Sequence, residues 1–313
     1  MAVIEARSLG KSYSGKPAVV DLSFTVQPGS VTGFLGPNGS GKSTTMRLML
    51  NLDSGAGTTT FDGKRFADLD QPARQVGALL EAKPFHPTRS ARNHLRMLAA
   101  PARIPASRVD EVMEMVGLTS VARGKPRKFS LGMGQRLGIA AALLGDPHTL
   151  VLDEPSNGLD PQGIQWLRQL LRSLASQGRS VFVSSHLLSE MALLADQLVV
   201  VGRGHLVATG PVADFVNANS RTQIVVRSPD MAVLAPALRA RDAQVDRLDD
   251  GWAVTGLAQE AIGDIAHELG VRVHELATRQ ATLEEAFLDA TGLSQEFIGA
   301  PVAAPSATPE QPR

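Results

Sequence analysis

The chain has 313 residues, 43% hydrophobic and 20% charged, enough apolar material to bury a core in about two domains of roughly 150 residues. Lys plus Arg (31) equals Asp plus Glu (31), so there is no chain-wide field to attract nucleic acid, which is not expected as a partner, or an anionic membrane; local patches are not excluded. Cysteine is absent, which excludes disulfides, thiolate nucleophiles and Cys-ligated metals.

The opening stretch, MAVIEARSLGKSYSG, lacks the apolar core of a signal peptide. The longest apolar run, from Ile139 to Leu144, falls far short of the ~20 residues that span a bilayer. A soluble, cytoplasmic chain is expected. In chain order, residues 2–9 and 22–27 read as antiparallel strands, joined later by 58–62. Short, nearly all-apolar runs follow at 31–35, 76–80, 149–152, 180–183 and 197–201, the pattern of strands buried on both faces of a parallel sheet. Helical patterns lie between them at 43–51, 89–100, 107–116, 133–144, 161–175 and 187–195, with a short one near 216. Such alternation marks an α/β fold. After a polar break at 217–221 the rhythm changes to strand, helix, two strands around an Asp-Asp-Gly turn at 249–251, helix and strand. That order suggests a small α+β, ferredoxin-like unit. An amphipathic helix is expected at 282–290, and the tail from Pro301 to Arg313, with four prolines, is expected to be disordered. The expected domains are 1–217 and 222–292, then a Pro-rich tail at 299–313.

The strongest motif is Gly36, Pro37, Asn38, Gly39, Ser40, Gly41, Lys42, Ser43 and Thr44, which fits G-x-x-x-x-G-K-[ST] between a strand and a helix. Glycines let the backbone turn with positive φ and approach phosphate oxygens without a Cβ in the way. Successive N–H groups and the helix N-terminus then face the polyanion. Lys42 would reach the β- and γ-phosphates, and the Ser43 hydroxyl would ligate Mg²⁺. Further on, an apolar strand ends in Asp153 and Glu154. A carboxylate at a buried strand end is costly without a cation, so Asp153 is a candidate metal ligand. Glu154, one residue on, points elsewhere and is a candidate base for the attacking water.

At this point the chain resembles the ATP-binding subunits of ATP-binding-cassette (ABC) transporters, because further motifs stand in that family's order. The stretch from Phe129 to Arg136 is similar to the family's Leu-Ser-Gly-Gly-Gln signature, with Ser130 and Gly132 matching, Leu131 in place of the first Gly and Met133 in place of the Gln. Ser130 can cap the following helix, whose N–H groups would face a γ-phosphate held by the other subunit. The resemblance implies a D-loop from Ser156 to Asp160, a switch histidine at His186 and an adenine-stacking aromatic at Tyr13. Glu81 stands where the family carries its Q-loop glutamine and is an oxygen ligand for the metal. Glu81 and the altered signature resemble a branch of bacterial exporters of drugs and peptide antibiotics; the phrase from Thr282 to Gly292 also resembles that branch.

The resemblance implies a P-loop ATPase fold with a mostly parallel sheet, an antiparallel β part and a helical subdomain. It implies ATP and Mg²⁺ as cofactors, with Lys42, Glu154 and His186 catalytic. Its partners would be a second ATP-binding subunit and a separate transmembrane permease, at the cytoplasmic face of the membrane. The C-terminal unit reads as an accessory or regulatory module. Two other readings stay open, an ABC-type ATPase acting in translation or DNA repair and a non-hydrolysing regulatory cassette.

Overall fold

The computed structural model describes residues 3–80, 85, 86, 88–219, 223–248, 250–279, 283 and 287. Strand β1 (Ile4–Tyr13) turns back into β2 (Lys16–Val26) through Ser14 and Gly15, both at positive φ (48° and 82°), a two-residue turn whose twist matches its strands. With β4 (Ala56–Phe61) and β5 (Lys64–Arg65) they form an antiparallel sheet in the order β2-β1-β4-β5.

The second sheet has six strands in the order β10-β9-β3-β8-β7-β6. Its members are β3 (Val31–Leu35), β6 (Val76–Leu79), β7 (Thr149–Leu152), β8 (Ser180–Ser185), β9 (Gln197–Gly202) and β10 (His205–Pro211). The first five are parallel. β10 returns antiparallel to β9 through Arg203 and Gly204, again at positive φ. The parallel strands were legible as apolar runs; β10 carries polar and exposed residues on an edge and gave no such signal.

Alternation along these strands feeds two cores. Val31, Leu35, Leu150, Leu152, Val181 and Val183 enter one, against the helices. Phe34, Val151, Phe182, Val199 and Val201 enter the other, against the antiparallel sheet and α1 (Lys42–Met49). There Phe24, Phe34 and Phe182 pack ring on ring, with centroids 5.0–5.8 Å apart. The first core is covered by α3 (Ala91–Ala99), α4 (Ala106–Met115), α5 (Leu131–Leu143), α6 (Pro161–Ser176) and α7 (Leu188–Leu194), while the one-turn α2 (Pro72–Gln75) leads into β6. α8 (Val212–Asn219) runs into the expected polar break, because Phe215 and its neighbours anchor it on the first core.

The third sheet holds β11 (Gln223–Arg227), β12 (Gln244–Leu248), β13 (Gly251–Thr255) and β14 (Glu275–Arg279) in the order β12-β13-β11-β14, all antiparallel. α9 (Met231–Arg239) and α10 (Gln259–Glu268) close a separate core with it, so the elements run β-α-β-β-α-β. The expected helix at 282–290 is described only at Leu283 and Phe287, both helical and buried. These two side chains do not join the third core. They pack into the first, with Phe215, so this part of 222–292 belongs by packing to the ATPase-like part. The 299–313 tail lies outside the described residues.

Candidate active site

Three loops meet at one edge of the parallel sheet because β3, β8 and β7 are neighbours running the same way. Register pairs Leu35 with Ser185 and Leu152 with Val183. The loop after β3, the two acids after β7 and the histidine after β8 are therefore delivered together at the carboxyl ends of the strands, where open α/β sheets bind ligands.

The loop after β3 needs its glycines. Gly39 and Gly41 sit at φ 80° and 100°, and a Cβ on Gly41 would strike the Ala18 carbonyl. A Cβ on Gly36 would meet the Ser40 hydroxyl and the Val201 carbonyl. Lys42 opens α1 and is buried, its Nζ donating to the carbonyls of Gly36 (2.6 Å) and Pro37 (3.3 Å). Burial pushes this ammonium below its usual pKa, and the Glu154 and Asp153 carboxylates push the other way.

The acids are wired together by hydroxyls. Ser43 Oγ donates to Asp153 Oδ2 at 2.5 Å, and Ser184 Oγ donates to Asp153 Oδ1. Ser184 Oγ also accepts from Glu154 N (2.9 Å), and Gln135 Nε2 donates to the Glu154 carbonyl (3.1 Å). These bonds hold Glu154 at φ 48°, a left-handed conformation that a non-glycine residue keeps only when its surroundings fix it. The Glu154 side chain then reaches His186, with Oε2 2.8 Å from Nδ1.

Tyr13, Ala18, the loop from Asn38 to Thr44, Asp153 and Glu154 line one open cleft of about 300 Å³. The Tyr13 ring is 47% exposed beside it, and its hydroxyl donates to Asp53 Oδ2 at 2.9 Å. The cleft therefore carries both an aromatic side chain and a cationic loop. Ser130 and Gly132 are not among its lining residues. Ser130 caps α5, accepting from Met133 N at 3.2 Å, and a Cβ on Gly132 would lie 2.8 Å from the Gly158 carbonyl, so the signature packs on the segment from Ser156 to Asp160. Glu81 lies outside the described residues. Reading residue by residue missed Ser184, Gln135 and Asp53. Ser184 stands two residues before His186 in the sequence, but its role depends on strand register. Gln135 and Asp53 gave no signal beyond being polar.

An ABC transporter family model matches residues 19–157. The ABC transporter ATP-binding protein YhcH of Bacillus subtilis (strain 168) is 36% identical over 95% of this chain and 98% of its own length. The chain belongs to the ATP-binding subunits of ABC transporters. The bacitracin transport ATP-binding protein BcrA of Bacillus licheniformis is 33% identical over 93% of this ABC subunit and 97% of its own chain. A solved ATP-binding subunit of an ABC transporter superposes with a TM-score of 0.63 at 26% identity, covering 69% of this chain and 92% of that one. A family of unknown function matches residues 222–284. This ABC subunit is thus an ATPase with the P-loop fold expected from its motifs. Among the described residues, no helix is long and apolar enough to cross a membrane.

Proposed function

We propose that this ABC subunit powers export of a peptide antibiotic, drug or lipid-like compound through a separate permease, in which two ATPase subunits enclose each ATP. The observation that carries the catalytic reading is the hydrogen-bonded path from Ser43 through Asp153 and Ser184 to Glu154 and His186 at the mouth of the phosphate loop. The export reading rests on full-length similarity to a bacitracin transport ATP-binding protein.

The donor set fits Mg²⁺. Ser43 and Asp153 offer two hard oxygens side by side, and no described cluster of three His, Asp or Glu residues supplies a full cage. Mg²⁺ characteristically takes one or two protein oxygens and completes its shell with phosphates and water. Bound there, the metal would neutralise charge on the transferring phosphoryl group. Lys42 and the N–H groups of α1 would bind the β- and γ-phosphates, and the Tyr13 ring would stack on adenine. The Glu154 carboxylate would accept the proton of the attacking water. With Nδ1–H given to Glu154, His186 keeps the carboxylate aimed and leaves Nε2 to accept from the attacking water. Ser130 and Gly132, absent from their own cleft, would cap the triphosphate of the partner subunit, and Glu81 with the helices after it would pass closure to the permease.

Glu154→Gln tests the reading. ATP binding should persist, turnover should fall by about 10²–10⁴, and a nucleotide-dependent dimer should accumulate on gel filtration. Turnover like the parent chain removes Glu154 as the base.

A further inference from the structure

The chain balances to zero charge overall but not locally. Residues 85–128 hold nine Lys or Arg against three Asp or Glu. Ala91 N donates to the Gly124 carbonyl and Arg92 N to the Ala122 carbonyl, each at 2.9 Å, so the loop at 122–128 lies against the first turn of α3. That contact sets Arg123 and Lys125, on either side of Gly124, beside the α3 arginines. α3 buries Ala91, His94, Leu95 and Ala99, which leaves Arg92 and Arg96, four residues apart, on its outer face. Arg127 and Lys128 follow in one short exposed turn.

Acids do not neutralise this face. Asp110 pairs with Arg92 at 2.5 Å and Glu111 with Arg108 at 2.9 Å. Arg96, Arg123, Lys125, Arg127 and Lys128 are all exposed and form no ion pair among the described residues. A face that only kept the protein soluble would mix both signs. The five cations come from one outer helix face and one exposed loop, so they fit an extended anionic surface better than one small anion. The patch carries two lysines and no exposed aromatic, whereas protein–protein interfaces are depleted in Lys and enriched in aromatics. Beside Arg96, Met97 and Leu98 are exposed, apolar side chains of the kind that enter the headgroup boundary.

We propose that this patch rests on the anionic phospholipid headgroups of the membrane, a contact additional to any made with a permease. Clusters of four to eight cations are drawn to anionic leaflets, at about a factor of five in binding per Lys or Arg. No step of ATP hydrolysis enters the proposal, so it stands or falls separately from the catalytic reading.

The test is cosedimentation of the full-length chain with vesicles of phosphatidylcholine alone or with about one-third phosphatidylglycerol. The chain should sediment only with the anionic vesicles, and less as salt shortens the screening length. Arg123→Glu/Lys125→Glu/Arg127→Glu should weaken that partition on the order of a hundredfold. Lys64→Glu/Arg172→Glu/Arg239→Glu, with the same change in net charge, should weaken it far less. Equal sedimentation with both vesicle types, no sedimentation with either, or equal loss in both triples overturns the proposal. Capture by neutral vesicles only when they carry the permease, lost in the first triple, assigns the patch to a protein and also overturns it. If the first triple unfolds, Lys125→Glu and Arg127→Glu singly carry the same test, each expected about fivefold weaker.

Discussion

His186 Nδ1 lies 2.8 Å from Glu154 Oε2, so the histidine after β8 and the acid after β7 are joined side chain to side chain. The ring nitrogen that faces a carboxylate carries the proton, which leaves Nε2 as an acceptor in the neutral ring and a donor only in the cation. Removing His186 should therefore free the Glu154 side chain as well as deleting the Nε2 acceptor. His186→Ala should lower kcat by about 10²–10⁴ with little change in nucleotide affinity. Because the two residues form one unit, the double variant with Glu154→Gln should be scarcely slower than the worse single one. Steady-state ATPase kinetics on all three variants read this directly, and additive losses would separate the pair.

Ser184 is buried and bridges the Asp153 carboxylate and the Glu154 backbone. Ser184→Ala leaves a buried N–H and a carboxylate oxygen without that partner, a cost of about 1–3 kcal/mol. Thermal unfolding should show this loss without nucleotide. The Mg²⁺ concentration for half-maximal ATPase should rise, and Ser184→Thr should restore both.

Phe182 packs on both Phe24 and Phe34, at centroid distances of 5.3 and 5.0 Å, and joins the parallel sheet to the antiparallel one. Phe182→Ala should destabilise the chain by about 3–5 kcal/mol in denaturant titration. Phe182→Leu, which keeps most of the volume, should cost clearly less.

Hydrogen bonds from Arg47 and then Tyr13 hold the Asp53 carboxyl below its usual pKa. A depressed folded-state pKa contributes stability that is present above the ordinary carboxylate value of 3.8 and is lost as pH falls through the depressed one. Tyr13 should thus stay anchored down to that acid limit and be released below it. The Tyr13 fluorescence of a Trp-free variant should report the release at higher pH in Arg47→Ala than in the parent.

Leu283 and Phe287, one helical turn apart, are buried in the core that backs the parallel sheet. Leu283→Ala or Phe287→Ala should cost about 2–5 kcal/mol. Hydrogen exchange should speed up in α8 while the core of the β-α-β-β-α-β unit stays protected. Faster exchange confined to that unit would place the two side chains elsewhere.

The parallel strands, the phosphate loop and the two acids were legible in the sequence because each is a local signal, whereas the histidine was singled out only through the family's motif order. An apolar run ending in a charge, or glycines at fixed spacing before Lys42, mean the same thing wherever the chain goes. Strand order decided the rest. Ser184 becomes the bridge only because β8 lies between β3 and β7 and its register sets it beside Asp153, a relation across 31 residues that no spacing encodes. Leu283 and Phe287 read as one face of a helix, but which core that face enters depends on packing between distant segments. Asp53 anchors Tyr13 from 40 residues away, through the pairing of β1 with β4 and the turn that precedes it.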